Sequence, residues 1–330
     1  MLVKSRENFQ NANDLSEYLL KKGIRELNAK KYEEAKKYFD ELTRISFKKD
    51  FVISEEKYIH LFLSRGITNY HLKNYSIAAC DFLKTLIKRK DENDIEAEFE
   101  SDFFHLANFL ASYDRSNSYI KNAADALTIF LELINNPCKY KLNKKIKKKG
   151  RRNLYMIYYA RAFTFKRFKK IKLALLDFNR SIINNPPVNS LPWLYTEKAF
   201  LHITEGNFLD AIKDINEANK KEVIPFCYKA YYAMGLINIK FFNFNIAISM
   251  FDKEIEILDN YFETYYTSKA HAYILRGYSK ICYQNIEDGI EDIGLGLALD
   301  KNCSEKYKKV FQNIDEGIKN IIRIRFNISI

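Results

Sequence analysis

AFLHITEGNFLDAIKDINEA, residues 199 to 218, reads as two short helices joined by a tight turn. Ala199 lies in the first helix and Gly206-Asn207 makes the turn. Phe208, Ala211, Ile215 and Ala218 fall three and four apart, the apolar stripe of the second helix. A Gly followed by Asn is a helix C-terminal signal, because Gly takes a left-handed conformation at little cost. Ala199 and Ala211 allow a close helix crossing, and Phe208 and Ile215 fill the space beside it.

The pattern recurs along the chain. Ala247 and Phe251 repeat Ala211 and Ile215, with Gly235 in the place of Ala199 and Phe244 in the place of Phe208; Ala174 and Phe178 repeat it upstream with Ala162. This resembles the tetratricopeptide repeat, a helix-turn-helix unit with a period of about 34 residues. The resemblance covers nearly the whole chain and rests on motif pattern. It implies an all-α fold, a right-handed superhelical solenoid of antiparallel helix pairs with a C-terminal capping helix.

Seven units are expected on this pattern. The first carries Gly23, Tyr32, Ala35 and Phe39, with Asp14 and Glu17 as a capping box; the second carries Gly66, Tyr75, Ala78 and Phe82. The third is irregular, beginning near Ala107, carrying the extra stretch YDRSNSYIKN, and closing on Ala126, Phe130 and Leu133. The fourth ends at Pro186, the fifth and sixth are those above, and the seventh carries Gly277, Ile286, Gly289, Ile293 and Gly296. The small residues Ala35, Ala78, Ala126, Ala174, Ala211, Ala247 and Gly289 are 43, 48, 48, 37, 36 and 42 apart. These gaps exceed the family period, so linkers or helices are longer than usual. The domain reading is N-terminal repeats over 1–137, a basic linker or helix extension over 138–152, C-terminal repeats over 153–300 and a capping helix over 301–330.

Composition agrees with helices. Ten Gly and five Pro in 330 residues leave few breakers, and 47% apolar content is enough to bury a core. No run resembles a signal peptide or reaches the roughly 18 apolar residues of a membrane span, so a cytoplasmic location is expected. Five cysteines, Cys80, Cys138, Cys227, Cys282 and Cys303, are odd in number and scattered, which favours free thiols in a reducing compartment.

No catalytic constellation stands out, and a non-enzymatic protein without cofactor is expected. His60, His71, His105, His202 and His271 are single, with no HExxH and no His-plus-Cys cluster at metal spacing, so no metal site is expected. The glycines of Gly294 to Gly296 lie inside a predicted helix rather than after a strand, which marks close helix contacts rather than a phosphate cradle. Glu287-Asp288 and Glu291-Asp292 read as a solvated helix face.

Two features point to binding. In the tetratricopeptide family the first helices line a concave groove, and the resemblance places Met156, Tyr159, Phe163, Trp193, Phe200, Tyr232, Leu236, Ile274 and Tyr278 there. Helices that are apolar nearly all round are buried nearly all round, so a partner segment, the protein's own chain or tight curvature is expected to cover this groove. The carboxylate clamp by which some family members hold acidic peptide tails is missing: the first two units place Leu20, Ile24, Leu63, Ser64 and Ile67 at the matching positions. The second feature is KYKLNKKIKKKGRR, residues 139–152, with nine Lys or Arg in fourteen positions, including Lys144, Lys145, Lys147, Lys148, Lys149, Arg151 and Arg152. Such a block is either a solvated linker or a contact for nucleic acid or another acidic surface, which the net charge of +12 favours. The expected function is an adaptor or scaffold that binds an apolar protein segment in the groove; the alternative is an RNA-binding helical-repeat protein using its basic surface.

Overall fold

The computed structural model describes residues 12–46, 53–85, 117–220, 228–261 and 265–326. All regular elements among them are helices. They divide into two compact units, Met1–Pro186 and Pro187–Ile330, separated at the adjacent prolines that end the fourth repeat.

The first unit contains α1 (Ala12–Asn28), α2 (Tyr32–Ser46), α3 (Glu55–His71), α4 (Tyr75–Lys84), α5 (Asn117–Asn135), α6 (Lys144–Arg152), α7 (Leu154–Arg167) and α8 (Ile171–Ile183). The second contains α9 (Leu191–Thr204), α10 (Phe208–Lys220), α11 (Tyr228–Lys240), α12 (Phe244–Tyr261), α13 (Tyr266–Cys282) and α14 (Ile286–Leu299), followed by α15 (Cys303–Lys306), α16 (Lys308–Gln312) and α17 (Glu316–Phe326). No described helix is long and apolar enough to cross a membrane. Each unit is a stack of antiparallel pairs, and consecutive pairs pack on one another, the arrangement that the tetratricopeptide resemblance implies.

Six pairs, α1/α2, α3/α4, α7/α8, α9/α10, α11/α12 and α13/α14, are joined by one kind of turn. Lys30, Lys73, Lys169, Gly206, Phe242 and Gln284 each take φ between 56 and 77°. At Gly206 the N–H donates to the Ile203 carbonyl (3.0 Å) and the Asn207 N–H to the His202 carbonyl (2.8 Å), and the same two bonds recur at the other five turns. They satisfy the last carbonyls of the first helix. The Asn207 carbonyl then accepts from the Ala211 N–H (3.1 Å), which starts the next helix without a side-chain cap. Only Gly206 adopts this conformation freely; each other residue costs about 1–2 kcal/mol there.

Contacts sixteen residues apart between a small residue and an aromatic or isoleucine side chain hold each pair together. A side chain at Gly23 or Gly235 would come within 2.5 Å of the Phe39 or Phe251 ring, and Phe82 fills the same space at Gly66. Ala162 and Phe178, and Ala199 and Ile215, are fully buried at the equivalent places. The crossing of α13 and α14 is closer still: a Cβ at Gly277 would stand 2.6 Å from the Gly289 carbonyl oxygen, and one at Gly296 2.8 Å from that of Ala270. Gly294 lies under the Phe326 ring of α17. These glycines are therefore close helix contacts, as their sequence position predicts.

One residue before the small position and one before the large apolar position, four pairs carry a buried ion pair. These are Arg65–Asp81 (3.0 Å), Arg161–Asp177 (2.6 Å), Lys198–Asp214 (2.9 Å) and Arg276–Asp292 (2.7 Å). The arginines also reach back to the preceding pair: Arg65 donates to Thr43 (2.7 Å), Arg161 to Thr128 (3.3 Å) and Arg276 to Asp252 (2.7 Å). Each arginine thus bridges a second helix of one repeat to the second helix of the next. The sixth repeat has Met234 and Met250 at these positions. The expected solvated face holds at Glu287, Asp288 and Glu291, which are exposed, and is corrected at Asp292, which is buried between Arg276 and Lys280.

The irregular third repeat is described only in its second helix. Ala107 lies outside the described residues, whereas Ala126, Phe130 and Leu133 of α5 are buried, and the Phe82 and Phe130 rings lie 5.4 Å apart. Asp14 lies inside α1 rather than at its cap, and Glu17 pairs with Lys21 (2.6 Å). After Asp300 the chain forms three helices, where one was expected, with breaks at Tyr307 and Asn313.

Candidate functional site

The nine residues assigned to the groove fall in both units. In the first, Met156 and Tyr159 of α7 are buried and Phe163 is half-buried. The Tyr159 and Phe163 rings are 4.9 Å apart, and each lies 5.8 Å from Phe178. These rings pack within their own helix pair.

In the second unit Trp193 stands edge-on to Tyr228 (6.1 Å), with the Lys229 ammonium 5.1 Å from its ring centroid. Phe200 is 6.0 Å from Tyr232, and Tyr232 is 6.1 Å from Phe251. Ile274 is fully buried, while Leu236 and Tyr278 are half-buried against the same cluster. The structure brings Phe200 and Tyr232 together in one chain of contacts, and Tyr232, Leu236, Ile274 and Tyr278 into one apolar cluster.

What lies over that cluster is the protein's own chain. The Tyr232 and Tyr307 hydroxyls are 2.9 Å apart, Tyr307 stands edge-on to His271 at 5.5 Å, and Phe311 and Ile314 are buried with them. Tyr307 therefore lies against the first helices α11 and α13 of the sixth and seventh repeats, and Phe311 and Ile314 belong to the same cluster. Sequence reading left open which of three covers applied, because Tyr232 and Tyr307 are 75 residues apart.

The covered face encloses polar groups. Burial pushes the Tyr232 hydroxyl up to about 12 and raises Tyr307 further. Glu254 of α12 is buried, its carboxyl is raised well above the ordinary value by desolvation, and its Oε2 has no hydrogen-bond partner. Burial pushes the Cys303 thiol up to about 11, and burial followed by the nearby Lys306 charge brings His271 down to about 4.

The basic stretch is ordered. Asn143 caps α6 by accepting from the Ile146 N–H (2.9 Å), Ile146 and Gly150 are buried, and any side chain at Gly150 would meet Ile134. The helix packs on α4 and α5 with that face. Lys144, Lys145, Lys148, Lys149, Arg151 and Arg152 are exposed and Lys147 is half-buried. Among the described residues no carboxylate pairs with any of these seven. Lys139, ahead of the helix, pairs with Glu132 (3.2 Å).

The remaining histidines pack. His71 stacks on Tyr32 at 4.4 Å, His60 is buried, and His202 lies 3.6 Å from Asp214. His105 and Cys227 lie outside the described residues. Cys80 and Cys138 are free and exposed, and Cys303 is free and buried.

The chain matches no protein-family profile and no curated protein sequence. A solved structure, the C-terminal part of a TPR repeat-containing protein from Cytophaga hutchinsonii, aligns with 90% of this chain and 99% of that one at 14% identity and a TM-score of 0.39. The helix-pair architecture described above rests on this chain's own contacts.

Proposed function

We propose that this chain is a non-enzymatic protein-interaction scaffold whose inner faces take apolar helical segments. The observation that supports this reading is the seating of residues 303–314 on α11 and α13, with Tyr307 and Phe311 as anchors. Anchors four residues apart, as Tyr307 and Phe311 are, have the spacing of the helix-in-groove mode of peptide recognition, and this seating supports that mode for a partner segment. In the second unit the partner's segment takes the place of this one, so the groove is available only when the C-terminal segment lifts.

The test uses a labelled peptide spanning residues 301–326. The full chain carrying Tyr307→Ala and Phe311→Ala is expected to bind it saturably while wild type does not, because its own segment occupies the face. Absence of binding by a variant that keeps its helicity would refute the reading.

A second reading, contact with nucleic acid through α6, is supported by its ordered row of exposed cations. Replacing Lys144, Lys145, Lys148 and Lys149 by Gln is then expected to weaken RNA binding and to flatten the slope of log K against log salt by about 3. An unchanged slope sinks it.

A further inference from the structure

The geometry points to a transition-metal site, of the kind Zn²⁺ fills, formed by His271 of α13 with Asp300 and Cys303 at the start of the C-terminal segment. One ligand atom from each of the three lies within 4.8 Å of the other two. Around Zn²⁺, with bonds of about 2.0–2.3 Å in a tetrahedron, ligand atoms stand roughly 3.2–3.8 Å apart. Side-chain rotation of His271 and Asp300, both half-exposed, supplies the remaining closure. A nitrogen, a carboxylate and a sulfur are the ligand set that suits this ion, and three protein ligands leave the fourth position to water.

A second observation marks the same spot as a cation position. The Lys306 ammonium sits 2.8 Å from His271 Nε2 and 3.2 Å from its Nδ1, so a positive charge already stands beside the imidazole. Cys303 is 1% exposed, shielded from solution oxidants. Metal binding replaces the ammonium: the Cys303 S–H proton leaves to solvent as the S–metal bond forms, and Lys306 swings outward. The bound ion would fasten residues 300–303 to α13, the root of the segment that covers the inner face. Sequence spacing hid this set because His271 lies 29 and 32 positions before its partners.

The test is titration of the reduced full-length protein with Co²⁺, in a background with the exposed Cys80 and Cys138 changed to Ser, followed by competition with Zn²⁺. One equivalent is expected to bind with an intense thiolate-to-cobalt absorption that Zn²⁺ abolishes. Cys303→Ser should remove the band, and His271→Gln and Asp300→Asn should each weaken binding by about tenfold or more. Lys306→Met should tighten it, a gain that misfolding does not produce. Persistence of the band in Cys303→Ser, unchanged affinity in His271→Gln, or no saturable binding by the parent protein would each overturn the assignment.

Discussion

Replacing Arg161 alone is expected to destabilise the first unit far more than replacing Arg161 and Asp177 together. The guanidinium donates to both Asp177 oxygens at 2.6 and 2.8 Å. The Asp177 side chain is 1% exposed and that of Arg161 12%. Arg161→Met leaves a buried carboxylate with Arg180, 3.4 Å away and 43% exposed. Breaking one side of a buried pair costs about 3–5 kcal/mol, whereas exchanging both partners for apolar groups of similar volume is often neutral. Arg180 partly compensates, so about 3 kcal/mol is expected for the single variant, a fall in Tm of roughly 6–12 °C for a unit of this size. Arg161→Met with Asp177→Met is expected to stay within about 1 kcal/mol of wild type, as the natural Met234 and Met250 of the sixth repeat suggest. Urea and thermal unfolding of the four proteins of the double-mutant cycle, followed by far-ultraviolet circular dichroism, gives the coupling directly. Equal losses in the single and double variants would refute the reasoning, since packing rather than charge would then hold the pair.

Phe242, 79% exposed at φ 59°, is expected to give a chain about 0.5–1 kcal/mol more stable when changed to Gly, the relief of left-handed strain exceeding the entropy lost; a less stable variant means that the ring makes contacts worth more than the strain. Gly235→Ala should cost about 1–3 kcal/mol through its 2.5 Å approach to Phe251, and Phe251→Leu in the same chain should recover part of it in a denaturation series. For pH, Asp81 is raised from 3.8 to about 6, first by burial, against the opposing pull of Arg65 and Lys84; its Oδ1 has no hydrogen-bond partner. A raised carboxyl favours the fold while protonated, so its contribution is complete below about pH 4 and is lost as pH rises through 6, about 3 kcal/mol in all. Subtracting the stability curve of Asp81→Asn from that of wild type isolates this loss, and a flat difference between pH 4 and 7 would contradict it.

The Arg65–Asp81 ion pair and the Met234 and Met250 pair show how differently the same repeat position is filled. Local signals in the sequence located the helix pairs, because Ala211, Ile215 and Ala218 lie on one helical face and that period is a property of neighbouring residues. The small-to-aromatic contact was equally legible at Gly66 and Phe82 or Gly235 and Phe251. Turn chemistry was legible only at Gly206, since Lys30, Lys73, Lys169, Phe242 and Gln284 carry no left-handed preference. Their conformation is imposed by the two carbonyl bonds and by the packing of the helices they join. Asp292 read as solvated because charge, without knowledge of the next helix, cannot be distinguished from a buried partner of Arg276.

The sequence by itself therefore determined an all-helical chain of repeated pairs and the residues at each crossing, since these depend on contacts about sixteen positions apart through a short turn. Only the tertiary structure decided what packs on Tyr232 and Ile274 and which polar groups meet. Tyr307 reaches Tyr232, and His271 approaches Asp300 and Cys303, across separations at which no local period survives. Such contacts depend on where the C-terminal segment comes to rest, and that is fixed by burial of Phe311, Ile314 and Ile322 against helices far earlier in the chain.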